Sequence, residues 1–372
     1  MKIHRGYKTE LDLTDRQRQA CIRHAGAARY AYNWGLARKL EAYHSGKKVP
    51  TAIDLHRELN ALKKGELAWM YEVSKCAGQE ALRDLDRGCK NYFRGLDENK
   101  AGKKTKIGYP KFKSRKKGIG SFRLTGAIHV HEKHIQLPRL GKLRLKEKGY
   151  IPTEGVHILS ATVSERAGRW FVSVQVEMEI PDPQPVEKGT AGVDLGVLQM
   201  ATVSDGKCFA NPRALKSRMK RVKRQQRRVS RREKGSANWQ KAVKRLGREH
   251  YRVANIRKDA LHKATSWLAR TKSAVMLEDL NVSGMLKNHH LAQAVADVGF
   301  HEFRRQLAYK GKWYGCEVRL ADRFYPSSKR CSGCGQIKPE LGLGEREYRC
   351  GSCGLVMDRD LNAAINLERL LY

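Results

Sequence analysis

Two pairs of cysteines near the end of the chain restrict its local fold more than any other feature of the sequence. Cys331-Ser-Gly-Cys334 and Cys350-Gly-Ser-Cys353 are separated by fifteen residues. Two CxxC turns at this separation can supply four thiolates to one tetrahedral Zn²⁺ ion. Because thiolates would fill all four coordination positions, we expect this zinc to be structural rather than catalytic.

The remaining cysteines do not suggest a disulfide framework. They are Cys21, Cys76, Cys89, Cys208 and Cys316. An odd number of scattered cysteines is typical of a reducing compartment, so we expect a cytoplasmic protein. We interpret these five residues as small buried side chains.

The charge of the chain predicts the class of its partner. There are 75 lysines and arginines against 38 acidic residues, a formal net charge of +37. A chain this basic repels itself unless a polyanion neutralises it, and nucleic acid is the usual polyanion. The sequence contains no apolar run long enough to span a bilayer and no apolar segment typical of a signal peptide, so we expect no membrane partner.

The hydrophobic pattern of the first half changes from strand to helix and back to strand. Residues 2–9 alternate as a short strand, and residues 12–97 have helical spacing. Capping residues precede three helices at Thr14, Thr51 and Ser74. After a break rich in lysine and glycine, short strands between residues 128 and 176 predict a small β-barrel. If the first strand joins this barrel, the helices are an insertion in it.

The second half has a different organisation. The proline-rich segment 181–187 is a suitable domain boundary. Three strands with tight turns follow between residues 191 and 209, then a long basic helical stretch and an apolar strand at 274–278. One helix is expected at 291–314, followed by the cysteine pairs and a terminal helix. Strands and helices in this order predict a mixed α/β layer fold.

Carboxylates stand at the ends of two of these strands. Asp194 ends the first apolar strand, and Glu278 ends the later one, with Asp279 directly after it. Carboxylates at the C-terminal ends of adjacent strands project into the crevice where open α/β sheets bind ligands. Several such oxygen ligands suit Mg²⁺ or Mn²⁺.

A third carboxylate must be chosen between Asp358 and Asp360. The apolar stripe of the terminal helix comprises Ala363, Leu367, Leu370 and Leu371. Asp360 lies on this stripe by its helical spacing, whereas Asp358 falls before the helix and off the stripe. We therefore predict Asp360 as the third ligand, and Asp358 as a residue at the helix end or one that supports the ligands.

Two basic segments are candidates for contact with nucleic acid. Between Arg213 and Lys258 there are nineteen lysines and arginines against two acids, which favours a helix laid along a phosphate backbone. The segment 111–123 combines basic residues with Tyr109, Phe112 and Phe122 for stacking, but could equally be a linker whose aromatic rings dock on the barrel. The predicted contacts are Lys111, Lys113, Lys220, Arg221, Arg224, Arg227 and Arg228.

These motifs together closely resemble the TnpB (OrfB) family of insertion sequences, which are relatives of the type V CRISPR effectors. The resemblance rests on five motifs: Val193-Asp-Leu-Gly196, Leu277-Glu-Asp-Leu-Asn281, the two CxxC pairs and Asp358-Arg-Asp-Leu-Asn-Ala-Ala364. Further similarity lies in Tyr109-Pro-Lys-Phe-Lys113 and Ala321-Asp-Arg-Phe-Tyr-Pro-Ser-Ser-Lys329. It extends over nearly the whole chain.

The resemblance implies an α+β multidomain fold. It consists of an N-terminal wedge β-barrel with an inserted helical recognition module, then an RNase H-like (RuvC) α/β domain with an inserted four-cysteine zinc element. The implied ranges are 1–11 for the first barrel strand, 12–100 for the helical module, 101–185 for the rest of the barrel and 186–372 for the RuvC domain, with 326–356 as the target-nucleic-acid-binding insertion.

The resemblance also implies a metal-dependent, RNA-guided DNA endonuclease. Its catalytic residues map onto Asp194, Glu278 and Asp360, and its partners are a guide RNA from the transposon end and double-stranded target DNA beside a short transposon-adjacent motif. The expected chemistry is two-metal hydrolysis with Mg²⁺, in which Asp194 bridges the ions. We expect a monomer on RNA, associated with the nucleoid.

Three alternatives remain open on the sequence alone. A transposase with the same acidic residues would join DNA ends without a guide. An RNA-guided repressor would bind DNA without cutting it, although the three intact carboxylates argue against that. If the chain were a general zinc-ribbon RNA-binding protein, those three carboxylates would have no functional role.

Overall fold

The computed structural model describes residues 1–103, 105–183, 189–342 and 344–372. The chain forms two compact units, Met1–Pro181 and Asp182–Tyr372. The boundary expected between residues 185 and 186 falls within 184–188, outside the described residues. Within the described ranges, no helix combines the length and the apolarity needed to cross a membrane.

The first unit contains a seven-stranded antiparallel sheet. Its strands are β1 (Lys2–Asp12), β2 (Ser121–Leu124), β3 (His129–Val130), β4 (His134–Leu137), β5 (Gly141–Leu145), β6 (Val156–Arg166) and β7 (Arg169–Glu179). They lie in the order β2-β6-β7-β1-β5-β4-β3. The N-terminal strand is therefore central, and it pairs with β7 from Lys2 opposite Glu179 to Leu11 opposite Trp170. Closure of this sheet into a barrel stays a prediction, because β2 and β3 stand at opposite ends of that order.

The helices of the first unit interrupt this sheet in sequence, between β1 and β2. They are α1 (Asp15–His44), α2 (Ala52–Leu62) and α3 (Lys75–Lys100), with short 3-10 turns at Ala68–Glu72 and Arg115–Lys117. Thr14, Thr51 and Ser74 each accept a hydrogen bond from a backbone N–H of the following first turn, which confirms the three predicted helix starts. Gly35 of α1 lets α3 approach closely at Leu82 and Leu85.

The second unit is built on a five-stranded mixed sheet. Its strands are β8 (Ala191–Asp194), β9 (Gln199–Val203), β10 (Cys208–Ala210), β11 (Ala274–Leu277) and β12 (Glu317–Leu320), in the order β10-β9-β8-β11-β12. β8, β11 and β12 are parallel neighbours, whereas β9 pairs antiparallel with both β8 and β10, so β9 alone runs against the other four strands. A separate hairpin of β13 (Glu347–Arg349) and β14 (Val356–Asp358) lies in the four-cysteine element.

Helices lie against this sheet and extend from it. They are α4 (Ala214–Ser230), α5 (Ala237–Thr271), α6 (Val282–Met285), α7 (Ala292–Val298), α8 (Phe300–Tyr314) and α9 (Arg359–Glu368), and Arg369–Leu371 forms a final 3-10 turn. Val193 and Leu277 belong to the same core as Leu268 of α5 and Phe303 of α8. Met276 directly precedes Leu277 on β11, so its side chain points to the opposite face of the sheet, where it packs with Leu367 of α9. The sheet is thus covered on both faces, with α9 on the face that carries the even-numbered residues of β8 and β11.

Outside the basic stretch 213–258, the fold differs from the sequence predictions in three details. The single helix expected at 291–314 is two helices, because Gly299 adopts a positive φ of 81° and ends α7. Leu370 was predicted on the apolar stripe but is exposed, because α9 gives way to the 3-10 turn. Cys208 was predicted to be buried but is exposed, since β10 is an edge strand.

Candidate active site and metal centre

Asp194 and Glu278 stand side by side at the ends of two adjacent parallel strands. Leu277 of β11 is in register with Val193 of β8, so the next residue of each strand carries a carboxylate. Side chains alternate along a strand, which turns both carboxylates toward the face covered by α9. Asp194 is 9% exposed, so its carboxylate is largely shielded from water.

Helix α9 brings the third carboxylate to the same place. Asp360 lies in its first turn, and Oδ2 of Asp360 is 3.9 Å from where a Cβ on Gly196, two residues after the end of β8, would lie. Asp358 is the N-cap of α9, and its Oδ1 accepts from the backbone N–H groups of Asp360 at 2.9 Å and Leu361 at 3.0 Å. The structure therefore brings Asp194, Glu278 and Asp360 together, and it places Asp358 at the helix end.

The electrostatics of this acidic cluster disfavour three free negative charges. Burial raises the pKa of Asp194 well above its ordinary value, and the charges of Glu278 and Asp360 raise it further. Burial also raises the pKa of Glu278, against which a hydrogen bond from Ser327 acts. A positive charge lies close by, because an Nη of Arg359 is 3.4 Å from Asp360 Oδ1.

The donor chemistry of the cluster suits a hard divalent cation, while the four cysteines are the group that already lies close enough to hold one ion among the described residues. All three groups are carboxylates, the ligand type that Mg²⁺ and Mn²⁺ prefer. Their burial and mutual repulsion are a cost that a bound cation would relieve. Asp194, Glu278 and Asp360 are the residues that would hold such an ion.

Asp279, the acid that follows Glu278, has a different role. Its carboxylate is ion-paired with Arg304 at 2.8 Å and Arg323 at 2.5 Å. The hydrogen bond from Arg323 is the main cause of its lowered pKa. Asp279 is thus already neutralised by arginines and is not part of the acidic cluster.

Two residues of the site were missed by the sequence predictions. Ser327 donates a hydrogen bond to Glu278 Oε1 at 2.5 Å, and Arg359 pairs with Asp360. Arg359 could have been suspected from its position inside the Asp-Arg-Asp motif. Ser327 lies in the motif 321–329 that resembles the TnpB family, but nothing in that motif linked it to Glu278, from which forty-nine positions separate it.

The four predicted zinc ligands converge on one centre. The Sγ atoms of Cys331, Cys334, Cys350 and Cys353 all lie within 4.8 Å of one another. The Cys331–Cys353 and Cys334–Cys350 sulfur pairs are 3.6 Å apart, close to the ~3.8 Å that a tetrahedral site with Zn–S bonds of about 2.3 Å requires. These residues fit a structural zinc ion.

Backbone donors also favour the thiolate form of Cys350, in contrast to Cys334, whose pKa is raised to about 11. Backbone N–H groups of Cys353 and Ser352 lower the pKa of Cys350 to about 6. The backbone N–H of Gly333 points to Cys331 Sγ at 3.3 Å. Thiolates, rather than thiols, are the form that ligates zinc.

Helix α4 exposes the basic residues predicted to contact nucleic acid. Lys220, Arg221, Arg224, Arg227 and Arg228 are all exposed. The opposite side of α4 is buried at Val222 and Gln225, where α4 packs on α5. The basic stretch is thus two helices rather than one.

Acidic residues hold these two helices in place instead of neutralising the exposed side. Glu249 of α5 is buried and pairs with Arg218 of α4 at 3.4 Å. Asp297 of α7 accepts hydrogen bonds from the backbone N–H of Leu215 at the start of α4 and from Arg257 of α5. The outer side of α4 therefore keeps its positive charge.

The second basic segment, 111–123, agrees in part with each of its two interpretations, a nucleic-acid contact and a linker whose aromatic rings dock on the protein. Phe112 and Lys111 are exposed, whereas Phe122 is buried and the ring of Tyr109 packs against Tyr92 at 5.2 Å. The ammonium of Lys113 lies 3.7 Å from the ring centre of Tyr32. Two of the three aromatic rings thus dock on the protein, and Phe112 is left available for stacking.

Three family models match the chain, and together they cover most of its length. The OrfB_IS605 model, described as "Probable transposase", matches residues 173–289. The model described as "Cas12f1-like, TNB domain" matches residues 300–367, and the "Helix-turn-helix domain" model of OrfB_IS605 proteins matches residues 1–48.

Curated relatives match over almost the whole chain. A Streptomyces pristinaespiralis protein named "Putative RNA-guided DNA endonuclease" is 37% identical over 98% of this chain and 89% of its own length. The Escherichia coli (strain K12) protein named "Putative RNA-guided DNA endonuclease InsQ" is 32% identical over 99% of this chain and 92% of its own.

A solved structure shares the fold. The protein in "Cryo-EM structure of the Cas12f1-sgRNA-target DNA complex" matches with a TM-score of 0.60 and covers 99% of both chains at 14% sequence identity. At this identity the likeness concerns the fold alone, a mixed α/β architecture like that of the Cas12f protein.

Proposed function

The chain belongs to the OrfB (TnpB) family, and on this premise we propose that it is an RNA-guided DNA endonuclease of an insertion sequence. It cuts DNA that pairs with the guide and lies next to a short transposon-adjacent motif. The observation that carries the proposal is the position of Asp194 and Glu278 at the ends of adjacent parallel strands, with Asp360 in the first turn of α9 next to them.

The reaction is hydrolysis of a phosphodiester bond at this acidic cluster. Mg²⁺ held there, as two ions in the RuvC manner, would supply an activated water and would stabilise the charge on the phosphate. The chain's own residues would hold the ions in place. The strand ends fix the positions of Asp194 and Glu278, and the first turn of α9 fixes the position of Asp360. One such site implies that the two strands of a duplex are cut in turn.

The domain roles follow from the same family premise. We assign residues 1–11 and 101–185 to a wedge barrel, 12–100 to a recognition module and 186–372 to a RuvC domain. Residues 326–356 form the zinc-stabilised element that contacts the target. The seven-stranded sheet interrupted by α1–α3 and the four-cysteine centre support this division.

The exposed positive charge of the chain supports guide RNA and target DNA as its partners. The exposed side of α4, with Lys220, Arg221, Arg224, Arg227 and Arg228, is suited to a phosphate backbone. Lys111 and Lys113 are assigned to the same partners. Guide pairing supplies the sequence specificity, while the protein reads duplex shape and the flanking motif. The complex acts as a monomer on its RNA in the cytoplasm, at the nucleoid.

The decisive experiment is to purify the protein, sequence the RNA that copurifies, and test cutting with and without it. We expect one discrete RNA, and Mg²⁺-dependent cutting of a plasmid that carries its complement. Cutting that persists after complete removal of the RNA would instead indicate a guide-free transposase. Guide-directed binding without any cutting would indicate a repressor.

A further inference from the structure

Ser327 reaches the acidic cluster from the segment that precedes the first cysteine pair. Its Oγ donates a hydrogen bond to Glu278 Oε1 at 2.5 Å, and the residue is only 3% exposed. The terminal torsion of a glutamate is broad, so the direction of the carboxylate is poorly fixed by the chain itself. A buried donor on Oε1 therefore decides where Oε2 points.

Ser327 is held in turn by the helix that carries Asp360. The side-chain Nδ2 of Asn366 donates to the backbone oxygens of Ser327 at 2.9 Å and Arg330 at 2.5 Å. One turn earlier, Asn362 donates to Arg330 O at 2.8 Å and accepts from Ser332 N at 2.9 Å. Both asparagines are completely buried.

Stability alone does not explain two buried asparagines in α9. Asparagine is a poor helix former, and a buried amide is costly unless it is fully hydrogen-bonded. Asn366 Oδ1 has no hydrogen-bond partner among the described residues. What the pair does provide is a fixed register between α9 and the segment 327–332.

We propose that Ser327 is a positioning residue of the acidic site, which aims the Glu278 carboxylate at the ion shared with Asp194 and Asp360. Asn362 and Asn366 keep Ser327 in register with Asp360, so one helix sets two sides of the site. The inference rests on the proposed function only in taking the acidic cluster as the metal-binding site.

The test compares Ser327→Ala with Ser328→Ala in the full-length protein with its RNA. Ser328 is the neighbouring serine and is half-buried, which makes it a matched control. Two quantities are measured: the Mg²⁺ concentration for half-maximal single-turnover cutting, and Mn²⁺ binding by electron paramagnetic resonance. The Mn²⁺ signal of the site is the part that Asp194→Asn removes.

Ser327→Ala is expected to raise the Mg²⁺ concentration for half-maximal cutting about tenfold and to lower the Mn²⁺ affinity by the same factor. This is the usual cost of losing a group that orients a metal ligand. Ser328→Ala should leave both quantities unchanged. Zinc content and target binding stay at wild-type levels. Ser327→Thr, which keeps the hydroxyl, restores Mn²⁺ affinity. If Ser327→Ala loses its zinc or its RNA through misfolding, the nearly isosteric Ser327→Cys, a weak donor, is expected to give the same loss of Mn²⁺ affinity.

Wild-type Mn²⁺ affinity in a folded Ser327→Ala protein, or in Ser327→Cys where the alanine variant misfolds, would overturn the inference, and so would an equal loss in Ser328→Ala. A failure of the proposed function looks different. In that case wild-type protein does not cut guide-matched DNA, yet Mn²⁺ binding still weakens in Ser327→Ala.

Discussion

Gly192 of β8 lies directly against the backbone carbonyl oxygen of Ala364 in α9, with no room for a side chain between them. The backbone N–H of Glu368 borders the same spot. Gly192 stands two residues before Asp194, and Ala364 stands four residues after Asp360. This contact therefore sets how closely the helix that carries one carboxylate approaches the strand that carries another.

A methyl group at Gly192 is expected to push α9 away from the sheet. Its Cβ would overlap backbone atoms, which cannot rotate away as a side chain could. We expect Gly192→Ala to destabilise the protein by about 1–3 kcal/mol and to slow cutting strongly. Gly189→Ala is the control, because a Cβ there meets nothing within 4 Å. Equal thermal midpoints and equal cutting rates in the two variants would contradict the importance of this contact.

The buried charge of Asp194 predicts a pH-dependent cost to stability. Its pKa is raised in the folded protein, so folding favours the protonated form. The cost is absent below the ordinary pKa of the carboxyl, grows as pH rises through the raised pKa, and is fully present above it. Without divalent metal at pH 8, Asp194→Asn should therefore raise the thermal midpoint by about 2–4 °C.

This gain should shrink as the pH is lowered toward 5.5, and Mg²⁺ should stabilise the wild type but not the variant. Differential scanning calorimetry in buffers without chelator measures both effects and leaves the zinc in place. A gain that does not change with pH would show that the carboxylate charge is not its source.

Loss of the four-cysteine centre should disturb the acidic site through α9. β14 leads directly into α9, and the backbone N–H of Arg359 donates to Arg346 O at 2.8 Å. Cys350→Ser is expected to lose zinc, measured by metal analysis, and to lower cutting at least tenfold. Cys208→Ser, at an exposed cysteine outside the centre, should keep both. Full activity in a zinc-free Cys350→Ser protein would refute this coupling.

The exposed side of α4 should contribute to the salt dependence of nucleic-acid binding. Replacing Lys220, Arg224 and Arg227 by glutamine should reduce the slope of log affinity against log salt by about 2–3, because each phosphate contact contributes almost one unit. A control triple replaces Arg305, Arg319 and Lys263 by glutamine, each of which is paired with a nearby acidic residue. The same slope change in both triples would mean that only total charge matters.

The sequence predicted those parts of the site that local patterns encode. Caps at Thr14, Thr51 and Ser74 depend on a few neighbouring residues, and CxxC spacing depends on a short turn. Asp360 was separated from Asp358 by helical periodicity alone, and Asp358 is indeed the N-cap of α9. The catalytic role of the three carboxylates stays a prediction.

The contacts between distant segments could not be predicted in the same way. Ser327 and Asn366 act through hydrogen bonds that exist only once β11, α9 and the segment 327–332 have packed together. Gly192 is required because a Cβ at this position would overlap the backbone of α9. This contact depends on how the strand and the helix pack, so the spacing of residues in the sequence does not show it. The exposure of Cys208 follows from the edge position of β10, a property of the sheet order.

The most direct test of the central claim compares Asp194→Asn with Asp279→Asn on guide-matched plasmid DNA in Mg²⁺. Asp194 belongs to the acidic cluster, whereas Asp279 is neutralised by two arginines. Target binding and cutting are measured on the same preparations. We predict that Asp194→Asn binds RNA and target like the wild type but cuts at least about a thousandfold more slowly, while Asp279→Asn keeps most of its activity. Undiminished cutting by Asp194→Asn, or loss of target binding together with cutting, would contradict the claim that this cluster is the nuclease centre.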